Sequence, residues 1–207
     1  MFFDKILGLV MIIQLTSNWW VKYIIAFVLS ITSVYASDNV VTVDQVGSYN
    51  TTQITQDGTD NRVSIKTGHD SDVDNTYIAI TQQGLGAKTA YVDIRSGTNN
   101  GITMFQDGAG NHTAAIQNLS GSANNITVSQ TGAGSHSLTV TGQTGTTNSG
   151  NTIDATQSGS GNKSFDLTLG GTSGANVTIQ QTNPTQSNSG SMTIQCMTCG
   201  SYSYIRQ

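Results

Sequence analysis

The chain is poor in charge. Only 10% of its 207 residues are Asp, Glu, Lys or Arg, with a formal net charge of -4, against about 25% in an ordinary soluble domain. This excludes the basic footprint of a nucleic-acid binder. Cysteine occurs twice and proline once. Both cysteines, Cys196 and Cys199, lie in CMTC near the C-terminus. In a cytosolic βαβ protein that spacing would suggest redox chemistry, but no sustained helical pattern accompanies it here, which leaves a small-loop disulfide or a pair of free thiols. Paired carboxylates clustered on one strand face are also lacking. The histidines, His69, His112 and His136, lie in or beside turns at unrelated register positions. An enzyme is therefore not expected, and no cofactor is implied. Ordinary disorder is excluded as well, because disordered chains are rich in charge and poor in β-branched residues, whereas Thr, Val and Ile recur here at intervals.

What the chain has instead begins with an apolar lead. Lys22 precedes YIIAFVLSITSVYA, with compact residues at Val34 and Ala36. A positive flank, an apolar run of about a dozen residues and a small-residue cleavage site are the layout of a secretory signal. Residues 1–36 are read as that signal, with cleavage after Ala36 and Met11 as an alternative start. The run is shorter than the ~20 residues of a spanning helix, so stable membrane insertion is not expected.

The mature chain, residues 37–207, is built on a repeat. A glutamine before a glycine turn falls at Gln45, Gln56, Gln82, Gln106, Gln130 and Gln157, with a related Gln181. From Gln56 onward the gaps are 26, 24, 24, 27 and 24 residues, within the range that signals a stacked-repeat architecture. The turns that follow are VGSYN, DGTDN, QGLGA, DGAGN, TGAGS and SGSGN, with glycine second in each: Gly47, Gly58, Gly84, Gly108, Gly132 and Gly159. Glycine there suits the positive φ of a tight turn.

Between the turns lie short runs of alternating character, such as NGITMFQ, NNITVSQ and NTIDATQ. In NNITVSQ, Asn124, Ile126, Val128 and Gln130 share one face while Thr127 and Ser129 take the other, which is the period of a strand. Each repeat reads as strand, short turn, strand, longer polar turn. Two strands alone are marginal in water. Stacked at the strand-pairing distance they give a two-sheet β-solenoid of about seven rungs, in which side-chain amides at equivalent positions bond one another in ladders. The fold class is all-β, uncapped and amyloid-like. Counting in steps of two from Asn111 puts Thr113, Ala115 and Gln117 inside, and the same count from Asn162 buries Asp166 while exposing Phe165, Leu167 and Leu169. Either the turn gains a residue there or one sheet carries an outward apolar face.

These residues resemble the curlin repeat of bacterial curli subunits, in which a glutamine, a glycine, an asparagine and a second glutamine follow at fixed spacing. Gln45, Gly47, Asn50 and Gln56 match it, as do Gln106, Gly108, Asn111 and Gln117. Partial matches run from Gln56 to Asn61 and from Gln157 to Asn162. The resemblance covers about Asn39 to Gln181 and weakens over 182–207. It implies a secreted subunit of a functional amyloid, exported and then polymerised outside the cell into biofilm fibres. It also implies a second curlin-like subunit and a dedicated outer-membrane secretion apparatus. The expected ladder residues are Gln45, Asn50, Gln56, Asn61, Gln82, Gln106, Asn111, Gln117, Gln130, Gln157, Asn162 and Gln181.

Polymerisation is expected from the ends of the stack as well. The terminal strands, Asn39 to Gln45 and Tyr202 to Arg206, carry no proline or charge cluster that would block edge pairing, and Arg206 is the only basic residue near the C-terminal edge. Uncapped ends of matching geometry add subunits head to tail.

Two binding readings stand beside this one, each with a monomeric solenoid. Asp70, Asp72 and Asp74 in HDSDVDN supply carboxylates at alternate positions, a partial match to a calcium loop. Outward Thr42, Thr103, Thr127, Thr178 and Thr193 could line up as an ice-binding column.

Overall fold

The computed structural model describes residues 29–31, 38–68, 73–95, 97–117, 125–142, 150–170, 175–195 and 200–207. Cys196 and Cys199, with His69, Asp70 and Asp72, lie outside them. The described residues form strands and no helix. In chain order the strands are β1 (Leu29–Ile31), β2 (Val40–Val43), β3 (Thr51–Gln56), β4 (Arg62–Ile65), β5 (Val73–Asp74) and β6 (Tyr77–Gln82). Then come β7 (Lys88–Val92), β8 (Gly97–Thr98), β9 (Gly101–Asp107), β10 (His112–Ala115), β11 (Asn125–Thr131) and β12 (His136–Thr141). The last five are β13 (Thr152–Ser158), β14 (Lys163–Gly170), β15 (Asn176–Ile179), β16 (Asn188–Gln195) and β17 (Ser201–Tyr204).

All pairings are parallel, and from β2 onward the chain alternates between two sheets. Sheet I has eight strands in the order β1-β3-β6-β9-β11-β13-β15-β17, and sheet II has seven, β16-β14-β12-β10-β7-β4-β2. A small ribbon, β5 with β8, stacks two of the longer corners. The result is a two-sheet β-solenoid. Among the described residues no helix is long and apolar enough to cross a membrane.

The core is the slab between the sheets. Alternation along each strand sends every second residue inward, and register aligns those residues rung by rung. Ile78, Ile102, Ile126, Ile153 and Val177 form one inward column of sheet I, all fully buried. Opposite them Val63, Ala90, Ala114, Leu138 and Phe165 form a column of sheet II. Burying each larger aliphatic side chain contributes about 1.5 to 3 kcal/mol. The column ends where Gly190 stands beside Phe165. A Cβ at Gly190 would lie 2.8 Å from the Tyr204 hydroxyl and 3.0 Å from the Phe165 ring, so the missing side chain leaves room for the Phe165 and Tyr204 rings, whose centroids are 4.9 Å apart.

The parity of sheet II settles the open count. Ala114, Ile116, Phe165, Leu167 and Leu169 are buried, while Thr113 and Asp166 are exposed. The turn gains a residue, and no outward apolar face is needed. In the turn after Gln56 the next inward residue is Asn61, five positions on. After Gln82, Gln106, Gln130 and Gln157 the inward residue comes six positions on, at Lys88, His112, His136 and Lys163. Those four turns carry a second glycine, Gly86, Gly110, Gly134 and Gly161.

The threonine column does not form. Thr42 and Thr193 belong to sheet II, whereas Thr103, Thr127 and Thr178 are in sheet I, where Ala79 and Asp154 share their column. The spacing of these threonines spans both sheets, and only the register separates them.

Candidate assembly core and sheet edges

At the short-corner end of sheet I a column of glutamines runs along the solenoid. Gln82, Gln106, Gln130, Gln157 and Gln181 are fully buried, and Gln56, in the first of these rungs, nearly so. Gln56 Nε2 donates to Gln82 Oε1 at 2.9 Å, Gln82 to Gln106 at 2.9 Å, and Gln106 to Gln130 at 2.8 Å. Further along, Gln181 Nε2 donates to Gln157 Oε1 at 2.8 Å, so the amide runs the opposite way there. The amides also cross to the facing sheet: Gln106 donates to the Thr89 carbonyl at 3.2 Å, Gln130 to Thr113 at 3.0 Å and Gln157 to Ser137 at 2.9 Å. Each of these amides therefore joins neighbouring rungs or the two sheets. A buried amide without such partners would cost about 1 to 3 kcal/mol, so the stack is what makes the buried glutamines tolerable.

Beside this column runs a second one, of which the sequence pointed only to Asn61. Asn61, Lys88, His112, His136, Lys163 and Asn188 occupy the first inward position of successive sheet II strands, and all are buried. The two lysines solve the problem of a buried charge with backbone oxygens. Lys88 Nζ donates to the carbonyls of Gly86, Gly108 at 2.9 Å and Gly110 at 3.2 Å, and Lys163 Nζ donates to Gly161 at 3.0 Å. Burial pulls both ammonium groups below the usual lysine range, and Asp107 partly opposes it at Lys88.

Between the lysines, His112 and His136 are register partners. Their rings stack with centroids 4.9 Å apart and 11° between planes. Each Nε2 is hydrogen-bonded to a backbone carbonyl, Asp107 at 2.8 Å for His112 and Thr131 at 3.0 Å for His136, while neither Nδ1 has a partner. Burial holds His112 down to about 4, with the neighbouring His136 and Lys88 adding to the effect. Burial lowers His136 as well, helped by Lys163. His112 and His136 are thus structural members of one column, contrary to the expectation of unrelated positions. The extra turn residue hides their equivalence from a simple count.

That same residue moves two expected ladder members outward. Asn111 and Asn162 are exposed, because the lengthened turn spends one more residue before entering the core. Each still links rungs: Asn111 Oδ1 accepts from the Ala87 N–H at 3.0 Å, and Asn162 Oδ1 from the Ser135 N–H at 2.9 Å. Gln117 is half-buried with φ 65° in a longer corner, outside the glutamine column.

Gln45 and Gly47 also fall in a longer corner, on the other edge of the slab, where Gly47 packs on the Val73 backbone. Asn50, buried at that edge, donates to the Val73 carbonyl and accepts from the Thr76 N–H at 2.8 Å. A glutamine-glycine-asparagine spacing can serve either corner, because both need a positive-φ residue. Of the acidic triplet only Asp74 is described, and its carboxylate accepts a hydrogen bond from the Ser48 N–H at 2.6 Å.

The glycines of the short corners touch their counterparts in the next rung. A Cβ at Gly58 would lie 2.1 Å from the Gly84 carbonyl oxygen, at Gly84 2.5 Å from that of Gly108, at Gly108 2.2 Å from that of Gly132, and at Gly132 2.5 Å from that of Gly159. At Gly159 the facing backbone is that of Asn183 and Pro184.

Residues 36–66 and 97–132, about a third of the chain, match the family model of the curlin associated repeat. Both segments are similar to the curlin associated repeat. The first match contains Gln56 and Asn61, and the second contains Gln106, His112 and Gln130, so both inward columns pass through the matched segments. No curated protein and no solved structure matches the chain.

Proposed function

We propose that the mature chain, from Ser37, is a secreted structural subunit that polymerises head to tail into extracellular amyloid fibres of the curli type. The observation that carries this reading is the parallel two-sheet core, whose inward columns continue to both ends of the described solenoid. Parallel sheets grow by adding strands at their edges, and β2, β16 and β17 are edge strands here. The curlin-associated repeats support the amyloid class. The biofilm and adhesive role, and export through a dedicated outer-membrane apparatus, follow from the same resemblance. In this reading the chain is architectural, and its buried polar groups serve cohesion.

Incubation of the chain from Ser37 in neutral buffer should give unbranched fibres by electron microscopy, with a strong reflection near ~4.7 Å along the fibre axis. A chain that stays monomeric under these conditions would overturn the proposal.

A further inference from the structure

We infer that Arg206 closes the glutamine column across the junction between two copies of this chain, and that the junction pairs β17 of one copy with β3 of the next and β16 with β2. This rests on the fibre reading and adds a register to it.

The order of the sheets permits it. Leaving the chain at its C-terminal end, the last strands are β16 in sheet II and β17 in sheet I; entering at residue 38, the first are β2 in sheet II and β3 in sheet I. Joining the two ends therefore continues the alternation without a break. Carrying the internal registers one step onward sets Gly190 opposite the next copy's Val41, Met192 opposite its Val43, Tyr202 opposite its Thr52 and Tyr204 opposite its Ile54. Val43, Met192, Tyr202 and Tyr204 are the described apolar residues that pack on the core but stay partly open. All four lie in terminal strands, where a second copy would finish their burial.

The polar column makes the same match. Val177 is opposite Tyr202 and Ile179 opposite Tyr204, and the Thr182 N–H donates to the Arg206 carbonyl at 3.1 Å, so Arg206 follows Gln181 in the glutamine column. Gln181 Oε1 is buried and has no hydrogen-bond partner. At the other end Gln56 spends its Nε2 on Gln82 and on the Val40 carbonyl, which leaves its Oε1 as the acceptor for an incoming copy. A guanidinium has five N–H donors and no acceptor. Placed between two amide oxygens, Arg206 serves both, whereas glutamate at this position would bring acceptor against acceptor.

In the full chain this acceptor edge is held. β1 pairs with β3, Leu29 opposite Thr52 and Ile31 opposite Ile54, the positions that the register assigns to Tyr202 and Tyr204 of an incoming copy. Removal of residues 1–36 frees the edge, so the inference applies to the chain from Ser37.

The test is self-seeded fibre growth of four chains from Ser37, followed by thioflavin fluorescence: wild type, Arg206→Glu, Gln56→Arg, and the exchange Gln56→Arg with Arg206→Gln. Each single variant should grow about tenfold slower or worse, since a charge-assisted contact is lost or two like charges meet. The exchange places one guanidinium and one amide back at the junction and should recover growth to within about threefold of wild type. Growth of Arg206→Glu at the wild-type rate, or an exchange no faster than the slower single variant, overturns the inference while leaving the fibre reading intact. Failure of the wild type itself to form fibres would instead remove the fibre reading. Recovery in the exchange also excludes misfolding as the cause of slow growth.

Discussion

Gly108→Ala should lower the unfolding free energy by about 4 kcal/mol or more, read from urea unfolding followed by far-UV circular dichroism, and should abolish or severely delay assembly. Two costs combine. Gly108 has φ 113°, well outside the left-handed region that an L side chain tolerates, and its Cβ would lie 2.2 Å from the Gly132 carbonyl oxygen. That oxygen has no room to retreat, because Gly132 is itself in tight backbone contact with Gly159. Effects of this size arise from a short set of mechanisms, strained backbone and overpacking among them. Ala109, the exposed residue at the tip of the same turn, supplies the control, and Ala109→Ser should stay within about 0.5 kcal/mol of wild type.

The second large effect is on pH. In the unfolded chain His112 and His136 take up protons near the ordinary value of 6.5, whereas folded His112 does so only at about 4 and folded His136 is also lowered. Between about 6.5 and about 4 the unfolded state therefore binds more protons, and stability falls as pH falls. The contribution is complete above the unfolded value and is lost once the folded imidazole has titrated. For His112 alone it is about 3 kcal/mol. The facing groups reinforce the direction: Lys88 and Lys163 are the neighbouring cations, and Asp107 is the carboxylate that partly offsets them at His112. The comparison is urea unfolding at pH 7 and pH 4.5 for wild type and for the double variant His112→Asn, His136→Asn. Asparagine already holds this column at Asn61 and Asn188, so the variant should fold. It should also lose most of the extra acid sensitivity. Equal acid sensitivity in the two chains would show that the stacked histidines do not couple to folding in this way.

The spacing of the glutamines made the architecture legible. A period of 24 to 27 residues, alternating apolar runs and glycine turns led directly to stacked strand-turn-strand units, and Ile126, Val128 and Gln130 point inward as their alternation required. Parity after the turn was harder to read. Asn61 and Asn111 follow their glutamines at the same distance, yet the first is buried and the second exposed. The difference is one glycine: Gly110 stands where the earlier turn has Asp60, and it packs on the Gly134 backbone. That contact lets the turn take an extra residue before the chain enters sheet II. The signal was present in the conflict at Phe165, Leu167 and Leu169, since a one-residue slip inverts a strand. The lysine and histidine column was hidden for the same reason. Lone basic residues beside turns look solvated until the register aligns them, and only the stacked carbonyls of Gly86, Gly108 and Gly110 explain how Lys88 can be buried. Gln45 looks like the other glutamines in sequence because both corners use the same residue types.

With β1 set aside, each sheet contributes seven strands. In the proposed fibre such a chain adds a whole number of rungs and would act as a ruler. At ~4.8 Å per rung, copies joined end to end without a gap repeat every ~34 Å along the axis. The strand spacing then becomes the seventh order of a longer lattice. In that proposed fibre the ring pair of Phe165 and Tyr204 would recur once per subunit and mark each period.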